Sequence, residues 1–317
     1  MKLSFLMVNY NMKGLVEQCV ENIAAQVLLT GNDFEVLIAD NSTETEFALS
    51  PDLAATHTYV SFFRLPRNDG LVSAMNGLFR HVSGEIVFVV HPDIVLEDGC
   101  IERLLHFFAS HQEAGIISPN MKFPNGDLTM IRISYPSIHS ELRRLAGILL
   151  YICFKRDFFP KEALWDRASD KDVDMVMSVC LVMRRKVLDA IGEITPELKT
   201  YYSNDYLCMR ARSLGWKVYY VRDAMVIHYE QFSPDNLYSV SNEMAYKKSA
   251  VPISYLLERD KFTFMKHLRS KTGLAVLKCI TTIEYVVHAL ASIKKFRQIS
   301  TPASRAYLSV IKEIWSV

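Results

Sequence analysis

The sequence has few of the residues that mark disordered, fibrous or disulfide-stapled proteins. Only 12 of its 317 residues are Gly and 11 are Pro, while half are apolar, so a collagen repeat and a low-complexity scaffold are both excluded. Its six cysteines lie far apart and form no C-x-x-C pair, a spacing that fits neither a disulfide framework nor a zinc knuckle. The composition favours a globular protein of a reducing compartment, the cytoplasm.

Long apolar runs are also missing. The most apolar stretch begins at Ala275 and is interrupted by Lys278, Glu284 and His288, whereas a bilayer span requires about 18 or more consecutive apolar residues. The first residues, MKLSFLMVNYN, are too short for the apolar region of a signal peptide. We therefore expect no transmembrane segment, and the start is typical of a first β-strand.

The charges nearly cancel, but they are unevenly placed. The formal net charge is +1, yet the part from Lys261 onward has ten Lys and Arg against two acids, which leaves 26 bases and 33 acids before it. This predicts a basic, helical C-terminal extension over residues 236–317 that lies on an anionic membrane surface, at the inner face of the cytoplasmic membrane. A basic helix packed on its own domain explains the charge equally well. Nucleic acid is not an expected partner, because aromatic residues are not interleaved with the cations.

Four common catalytic signatures are absent. The sequence has no G-x-G-x-x-G after its first strand and no G-x-x-x-x-G-K-[ST]. It therefore lacks the glycine-rich phosphate-binding loops of a Rossmann dehydrogenase and of a P-loop phosphotransferase. H-E-x-x-H and G-x-S-x-G are missing as well. The remaining chemistry must come from carboxylates, amides and histidine.

The apolar pattern predicts an α/β fold with a mostly parallel central sheet. Nearly continuous apolar runs, typical of strands covered on both faces by helices, occur at 3–10, 35–40, 59–65, 85–90, 115–118 and 176–183. Helical spacing lies between them, around 12–26, 70–82 and 97–111. A turn is expected at Asn125-Gly126, and two short strands at 217–221 and 224–229. Residues 1–235 form this domain in our interpretation.

Four predicted strands end in polar residues. The first ends at Asn9, Tyr10 and Asn11, the second at Asp40, the third leads to Asn68 and Gly70, and the fourth stops at His91 and Asp93. Because ligands of open parallel sheets collect beyond the carboxyl ends of the strands, these residues are expected to line one pocket. Such a rim can bind a nucleotide and hold a divalent cation on its diphosphate.

Taken together, these motifs resemble glycosyltransferase family 2, in its rhamnosyltransferase branch. The resemblance covers about residues 1–235 and is carried by VNYN, ADNS, RNDGLVSAMNG, HPD, VDMVMSVCLVMRR, YYSNDYLCMRARSLGWKVYYV and VIHY. It implies a GT-A fold and an inverting transfer from a nucleotide-diphospho-sugar donor. The donor that the resemblance implies is dTDP-L-rhamnose, whose L-rhamnose is moved to a lipid-linked or polysaccharide glycan acceptor in cell-surface polysaccharide synthesis. The alternatives are a transferase using a UDP-linked glucose, galactose or N-acetylglucosamine, and a non-catalytic relative that binds nucleotide sugar.

The resemblance also implies roles for individual residues. Asp40 resembles the acid that hydrogen-bonds the pyrimidine base, and Asp93 the last acid of the DxD motif that meets the metal. His228 resembles a second ligand of that ion, Mg²⁺ or Mn²⁺. The full set of implied donor-binding residues is Asn9, Tyr10, Asn11, Asp40, Asn68, Gly70, Asn76, His91 and Asp93. For Gly70, a conformational requirement explains the residue equally well.

Two positions depart from the family pattern. His91 stands where many relatives have Asp or Asn, so this segment supplies only one carboxylate, while the neutral imidazole can ligate manganese or donate a hydrogen bond to phosphate. Asp205 resembles the general base, but Asn204 precedes it where the family has Glu. A carboxylate suits the reaction because it can accept the proton of the acceptor hydroxyl. The alternative is that Asp205 only stabilises the start of a helix.

Overall fold

The computed structural model describes two compact units. It covers residues 1–42, 55, 57–129, 131–154, 165, 167–177, 179–229, 250–296, 309–312 and 314–317. The first unit comprises residues 1–134, 164–199 and 203–239, and the second comprises 135–163, 200–202 and 240–317. The predicted boundary at residue 235 lies outside the described residues and stays a prediction. The division differs from the predicted one at two places before that boundary, because residues 135–163 and 200–202 group with the C-terminal helices.

The first unit is built on a nine-stranded sheet, counted over the described residues. Its strands are β1 (Lys2–Asn9), β2 (Asp33–Asp40), β3 (Val60–Arg64), β4 (Ile86–Val90), β5 (Ile94–Leu96), β6 (Ala114–Lys122), β7 (Lys171–Asp172), β8 (Cys180–Arg184) and β9 (Lys217–His228). Its helices are α1 (Lys13–Leu28), α2 (Leu71–Phe79), α3 (Cys100–Ser110), α5 (Arg185–Ile191) and α6 (Ser203–Ser213). The order across the sheet is β3-β2-β1-β4-β8-β6-β9-β5, and β7 pairs with β9.

The sheet contains two parallel blocks joined by one reversed strand, and β5 and β7 each pair antiparallel with β9. In the first block β3, β2, β1 and β4 run parallel, and in the second β6 and β9 do. Strand β8 lies between the blocks and is antiparallel to both β4 and β6. The predicted mostly parallel sheet flanked by helices is confirmed, and the buried runs of β1, β2 and β4 explain it, since both faces of these strands are covered.

Two local predictions are corrected. One continuous strand, β9, replaces the two short strands expected at 217–221 and 224–229. The pairing of β9 with β6 shifts between Val221 and Met225, so a β-bulge accommodates the intervening polar residues without ending the strand. The strand expected at 176–183 begins only at Cys180. The turn at Asn125-Gly126 is confirmed, with Gly126 at φ 89° and a bridge between Lys122 and Leu128.

The second unit is helical in its described part. It contains α4 (Ile138–Phe154), α7 (Ala250–Leu268) and α8 (Lys271–Phe296), and α8 contacts both other helices. Its interior holds a buried ionic network as well as apolar side chains: Arg144 Nη2 lies 2.7 Å from both Glu141 Oε2 and Glu284 Oε2, and Lys261 Nζ lies 2.9 Å from Glu141. Among the described residues, none of the helices is sufficiently long and apolar to cross a membrane.

Candidate active site

Parallel pairing brings the predicted strand ends to one edge of the sheet. Asn9, the last residue of β1, is in register with Asp40, the last residue of β2. Strand β4 pairs with the other side of β1 and leads to His91. The carboxyl ends of the three strands therefore lie side by side, and that their polar residues line one pocket stays a prediction.

Asp40 is fully buried and held by several donors. Its Oδ1 accepts hydrogen bonds from Asn9 Nδ2 at 2.9 Å and from the Ser42 backbone N–H at 3.0 Å, and its Oδ2 lies 2.5 Å from Arg64 Nη1. Arg64 stands opposite Asp40 in the β2–β3 register. These contacts fix the orientation of the carboxylate and neutralise its charge. Contact with a nucleotide base stays a prediction, and such a base must share the carboxylate with Arg64.

Two buried amide oxygens beside Asp40 have no hydrogen-bond partner among the described residues. They are Asn11 Oδ1 and Asn41 Oδ1. Asn11 has a φ of 58°, and its N–H donates to Ser42 Oγ at 3.0 Å. An unpaired buried acceptor costs about 1–3 kcal/mol, so both oxygens favour a site where a ligand supplies the donors. Tyr10, between Asn9 and Asn11, is exposed.

Asn68 and Gly70 form the next part of the rim. Asn68 Oδ1 accepts from Asn41 Nδ2 at 2.8 Å and from the Gly70 N–H at 3.0 Å. Gly70 precedes α2 with a φ of 97°, and a Cβ there would lie 2.5 Å from the Lys199 carbonyl oxygen. The backbone of Gly70 thus requires glycine whether or not a donor binds.

Asn76 has a structural connection that the sequence did not reveal. Its Nδ2 donates to the Ile194 carbonyl at 2.8 Å, and its Oδ1 accepts from the Ile194 N–H at 2.9 Å. The amide thereby ties α2 to a loop 118 residues later in the chain. Its predicted contact with a donor stays a prediction.

Three residues form a compact cluster after β4. His91, Asp93 and His228 each offer a ligand atom, and these atoms all lie within 4.8 Å of one another. The antiparallel pairing of β5 with β9 places His228 opposite Ile94, beside Asp93. Asp93 Oδ2 lies 3.4 Å from His228 Nε2, while Asp93 Oδ1 is buried and has no partner among the described residues. The cluster brings together both predicted metal ligands and His91.

Protonation within this cluster favours cation binding. Burial lowers the pKa of His91, so its imidazole is neutral near pH 7 and keeps a lone pair. Burial opposes ionisation of Asp93, but the hydrogen bond from His228 and the electrostatic interactions with His91 and His228 outweigh it and lower the pKa of Asp93. One carboxylate and a neutral imidazole are thus present in the form that a metal needs.

Asp205 lies in the first turn of α6 and is 1% exposed. Arg132 Nη2 contacts both of its carboxylate oxygens, at 2.9 and 3.1 Å. Burial raises the pKa of Asp205, and the charge and hydrogen bond of Arg132 offset only part of that effect. A raised pKa makes this carboxylate a better proton acceptor while Arg132 keeps it ionised.

One short segment connects the cluster with the start of α6. The His91 N–H donates to the Val179 carbonyl at 3.0 Å, and Asn204 Nδ2 donates to the Val176 carbonyl at 2.5 Å. Val176 and Val179, just before β8, therefore bond to one residue of each site. Val179 bonds to His91 of the cluster, and Val176 bonds to Asn204, which precedes the predicted base Asp205.

The arginine partners of the two buried acids were not predicted. The sequence analysis gave Arg64 no role and did not pair Arg132 with any acid. For Arg64 a signal exists, because parallel strands of matched length place the ends of β2 and β3 side by side. No such signal exists for Arg132, since the route of its loop depends on tertiary packing.

Comparison with known proteins identifies a family that the chain matches. A sequence profile for the family described as "Glycosyl transferase family 2" matches residues 4–192. The chain is 25% identical over 233 residues to an N-acetylglucosaminyl-diphospho-decaprenol L-rhamnosyltransferase of Mycobacterium tuberculosis, in a match that covers 67% of this chain and 71% of that protein.

Two solved structures have a similar fold. The mannosyltransferase PcManGT from Pyrobaculum calidifontis, in complex with GDP-Man and Mn²⁺, matches 99% of this chain and 87% of its own, with a TM-score of 0.55 and 14% identity. S. aureus TarS 1-349, in complex with UDP-GlcNAc, matches 99% of this chain and 80% of its own, with a TM-score of 0.52 and 14% identity. The GT-A fold implied by the sequence motifs is confirmed. At 14% identity these structures show a shared fold and do not show a shared substrate.

Proposed function

This chain is a glycosyltransferase and belongs to glycosyl transferase family 2, and from that premise we propose that it moves a sugar from a nucleotide-diphosphate donor to a glycan acceptor with inversion. The cluster of His91, Asp93 and His228 carries the proposal. It combines a carboxylate of lowered pKa, a neutral imidazole and an unpaired buried oxygen at the end of β4. Such a site suits the diphosphate end of the donor.

A divalent cation is the cofactor that these residues would hold. Asp93 and His228 are the proposed ligands, and His91 either completes the set or donates to phosphate. When bound, the ion supplies positive charge to the donor's diphosphate as it leaves. Two imidazoles with one carboxylate favour Mn²⁺ over Mg²⁺, because Mg²⁺ prefers oxygen ligands.

The metal proposal is tested by Mn²⁺ titration in the presence of dTDP. We expect Asp93→Asn to weaken Mn²⁺ binding about 10-fold or more, since the variant loses the only carboxylate of the cluster. Asp189→Asn, on the exposed side of α5, is the matched control and should bind Mn²⁺ as the wild type does. Equal Mn²⁺ affinity of wild type and Asp93→Asn would exclude Asp93 as a ligand.

Asp205 is the proposed general base. The acceptor hydroxyl oxygen forms a bond to the anomeric carbon, the bond from that carbon to the diphosphate oxygen breaks, and the hydroxyl proton passes to Asp205. Burial beside Arg132 holds this carboxylate in one orientation. Its ionised form also faces the positive charge that develops on the sugar.

L-rhamnose from dTDP-L-rhamnose is the proposed donor sugar, and a lipid-linked or polysaccharide glycan of the cell surface is the proposed acceptor. The support is the sequence resemblance together with the rhamnosyltransferase of M. tuberculosis, whose name gives a polyprenyl-diphosphate-linked acceptor. A panel of radiolabelled donors tests the donor sugar. Transfer from dTDP-L-rhamnose is expected, and turnover with a UDP-sugar alone would establish the rival donor.

A non-catalytic relative is the second candidate, favoured by His91 in the DxD position and by Asn204 before Asp205. The same donor panel separates the two functions. A protein that binds dTDP or UDP tightly but turns over none of the donors, and does not hydrolyse them, would belong to this second class.

An anionic membrane surface is the proposed location of the second unit. Three exposed cations, Lys266, Arg269 and Lys271, lie at the junction of α7 and α8, and each nearby cation contributes roughly 1 kcal/mol to binding anionic lipid. Replacing all three by Glu should release the protein from anionic vesicles in a sedimentation assay. Unchanged sedimentation would show that these three cations do not bind the membrane.

A further inference from the structure

Two residues of α7 contact the segment that leads into α6. Asp260 and Phe264 are both fully buried and lie four positions apart, so they share one face of the helix. Asp260 Oδ2 accepts hydrogen bonds from the backbone N–H of Thr200 at 2.8 Å and from that of Tyr201 at 2.9 Å. Phe264 stacks on Tyr202, with ring centroids 5.6 Å apart and ring planes at 18°. One face of α7 therefore holds the three residues that precede α6.

Tyr202 has a backbone conformation that needs such support. Its φ is 60°, in the left-handed region that a bulky residue rarely adopts. A residue in this conformation persists only where its surroundings fix it. The next residue, Ser203, is the first of α6, and Asp205 lies in the first turn of that helix. The direction in which α6 begins, and with it the place of Asp205, therefore depends on how Tyr202 is held.

The same phenylalanine also contacts the segment that follows Arg132. Phe264 lies against Tyr135, with ring centroids 5.4 Å apart and ring planes at 50°. Tyr135 is three residues after Arg132, just as Tyr202 is three residues before Asp205. Arg132 and Asp205 form the ion pair at the proposed base. One buried ring is thus in contact with both chain segments that lead to this pair.

We propose that Asp260 and Phe264 are positioning residues for sugar transfer, and that they hold the carboxylate of Asp205 and the guanidinium of Arg132 in the arrangement that base catalysis requires. This rests on the proposed function, in which Asp205 accepts the proton of the acceptor hydroxyl. The base must lie within hydrogen-bond reach of that proton. A misplacement of about 1 Å can lower the rate about 100-fold, so a residue that never touches the substrate can still set the rate.

Phe264→Leu and Phe262→Leu are a matched pair for the test. Both phenylalanines are fully buried on α7, but positions two apart on a helix face different sides. Within the part of the chain that the structure describes, Phe262 stacks on neither tyrosine. With dTDP-L-rhamnose and a lipid-linked glycan as substrates, Phe264→Leu should lower kcat at least about 10-fold and leave the KM of the donor unchanged. Phe262→Leu should keep the kcat of the wild type, and thermal unfolding checks that both variants are folded in the assay.

The pH profile is a measurement that a general loss of stability does not move. A looser contact between Arg132 and Asp205 raises the pKa of the carboxyl group. The acid limb of kcat/KM should therefore move to higher pH in Phe264→Leu and stay in place in Phe262→Leu. Asp260→Ala removes both hydrogen-bond acceptors and should give the same shift. Asp260→Asn keeps an oxygen that can accept from the two N–H groups, so it should recover most of the activity that Asp260→Ala loses.

Amide hydrogen exchange measures the anchoring without any substrate. The N–H groups of Thr200 and Tyr201 lose their acceptor in Asp260→Ala. They should exchange at least about 10-fold faster in this variant than in the wild type, because exchange requires that the hydrogen bond be open. Asp260→Asn should exchange at a rate close to that of the wild type.

Three results would overturn the proposal. They are equal losses of kcat in Phe264→Leu and Phe262→Leu, unchanged pH profiles in Phe264→Leu and Asp260→Ala, and unchanged exchange of the two amides in Asp260→Ala. Full turnover in Asp205→Asn would instead overturn the base of the proposed function. Amide exchange would then still show whether α7 anchors this segment, so the two failures are distinguishable.

Discussion

At the scale of single residues, Asp205 shows how burial and a charge partner together set a carboxylate for proton transfer. Removal from water raises its pKa, whereas the contact with Arg132 favours the ionised form. On balance the pKa of Asp205 is raised from the ordinary value of Asp. Substitution of Asp205 should therefore change the rate of sugar transfer, and substitution of Arg132 should change its pH dependence.

Replacement of Asp205 by Asn should abolish base catalysis and leave donor binding intact. We expect kcat to fall by about 10²–10⁴, the usual contribution of general acid–base catalysis, with unchanged dTDP affinity in calorimetry. Asp223→Asn, an exposed position on β9, serves as the control and should keep wild-type turnover. Wild-type turnover in Asp205→Asn would remove this residue from the mechanism.

Replacement of Arg132 by Met should shift the pH dependence of the reaction. Loss of the cation raises the pKa of Asp205 further, so the base stays protonated to a higher pH and the acid limb of kcat/KM moves upward. Arg132→Lys retains a positive charge and should show a smaller shift. An unchanged profile in Arg132→Met would show that Arg132 does not set the protonation of the base.

Sequence motifs located the acids of the site but not their partners. Asp40, Asp93 and Asp205 stand out because each ends a strand, follows a strand or lies at the start of a helix within a recognisable motif. Arg64 and Arg132 do not, because an arginine alone carries no information on which acid it reaches. That information lies in strand register and loop route, which form only on folding.

At the scale of elements, α2 offers a matched pair of glycines. Gly70 precedes the helix with φ 97° and a Cβ there would lie 2.5 Å from the Lys199 carbonyl oxygen, while Gly77 lies inside the helix with nothing within 4 Å. Gly70 must therefore remain glycine, whereas Gly77 is replaceable.

Gly70→Ala should lower the free energy of unfolding by about 2 kcal/mol or more, through the left-handed backbone and the collision with Lys199. Gly77→Ala should raise it by about 0.5–1 kcal/mol, since Ala is the better helix former. Urea unfolding of both variants measures the difference. Equal effects of the two substitutions would contradict the backbone geometry described for Gly70.

The strands and helices of the first unit were largely predictable, whereas the reversed direction of β8 was not. Apolar runs locate strands because burial on two faces demands them. Direction depends on how the chain returns to the sheet, and β8 returns between β4 and β6 after a long excursion. The grouping of α4 with the C-terminal helices could not be predicted from the sequence either. The apolar residues at 145–154 suit a buried helix in either unit.

At the scale of the whole molecule, the stability of the protein should depend on pH through the helical unit. Burial raises the pKa of Glu284 to about 7, although Arg144 and Lys261 counteract it and Glu258 and Glu141 reinforce it. A folded pKa above the unfolded value of 4.5 means that the associated stability is present below pH 4.5 and is lost as pH rises toward 7.

Glu284→Gln should therefore become more stable relative to the wild type as pH rises from 5 to 8, by at most about 3 kcal/mol. Thermal unfolding of both proteins at the two pH values measures the change, and taking the difference removes groups that titrate in both. Glu102→Gln, exposed on α3, is the control. A difference between wild type and Glu284→Gln that stays constant with pH would show that Glu284 does not titrate there.

The position of β8 in the sheet has a consequence for synthesis on the ribosome. Strands β4 and β6 emerge early, but the strand that joins them is translated only at residues 180–184. Until then each presents an open edge that can pair with another nascent chain. Fragments that stop before residue 180 are therefore prone to aggregate, and a chaperone that shields these edges would raise the yield of intact protein.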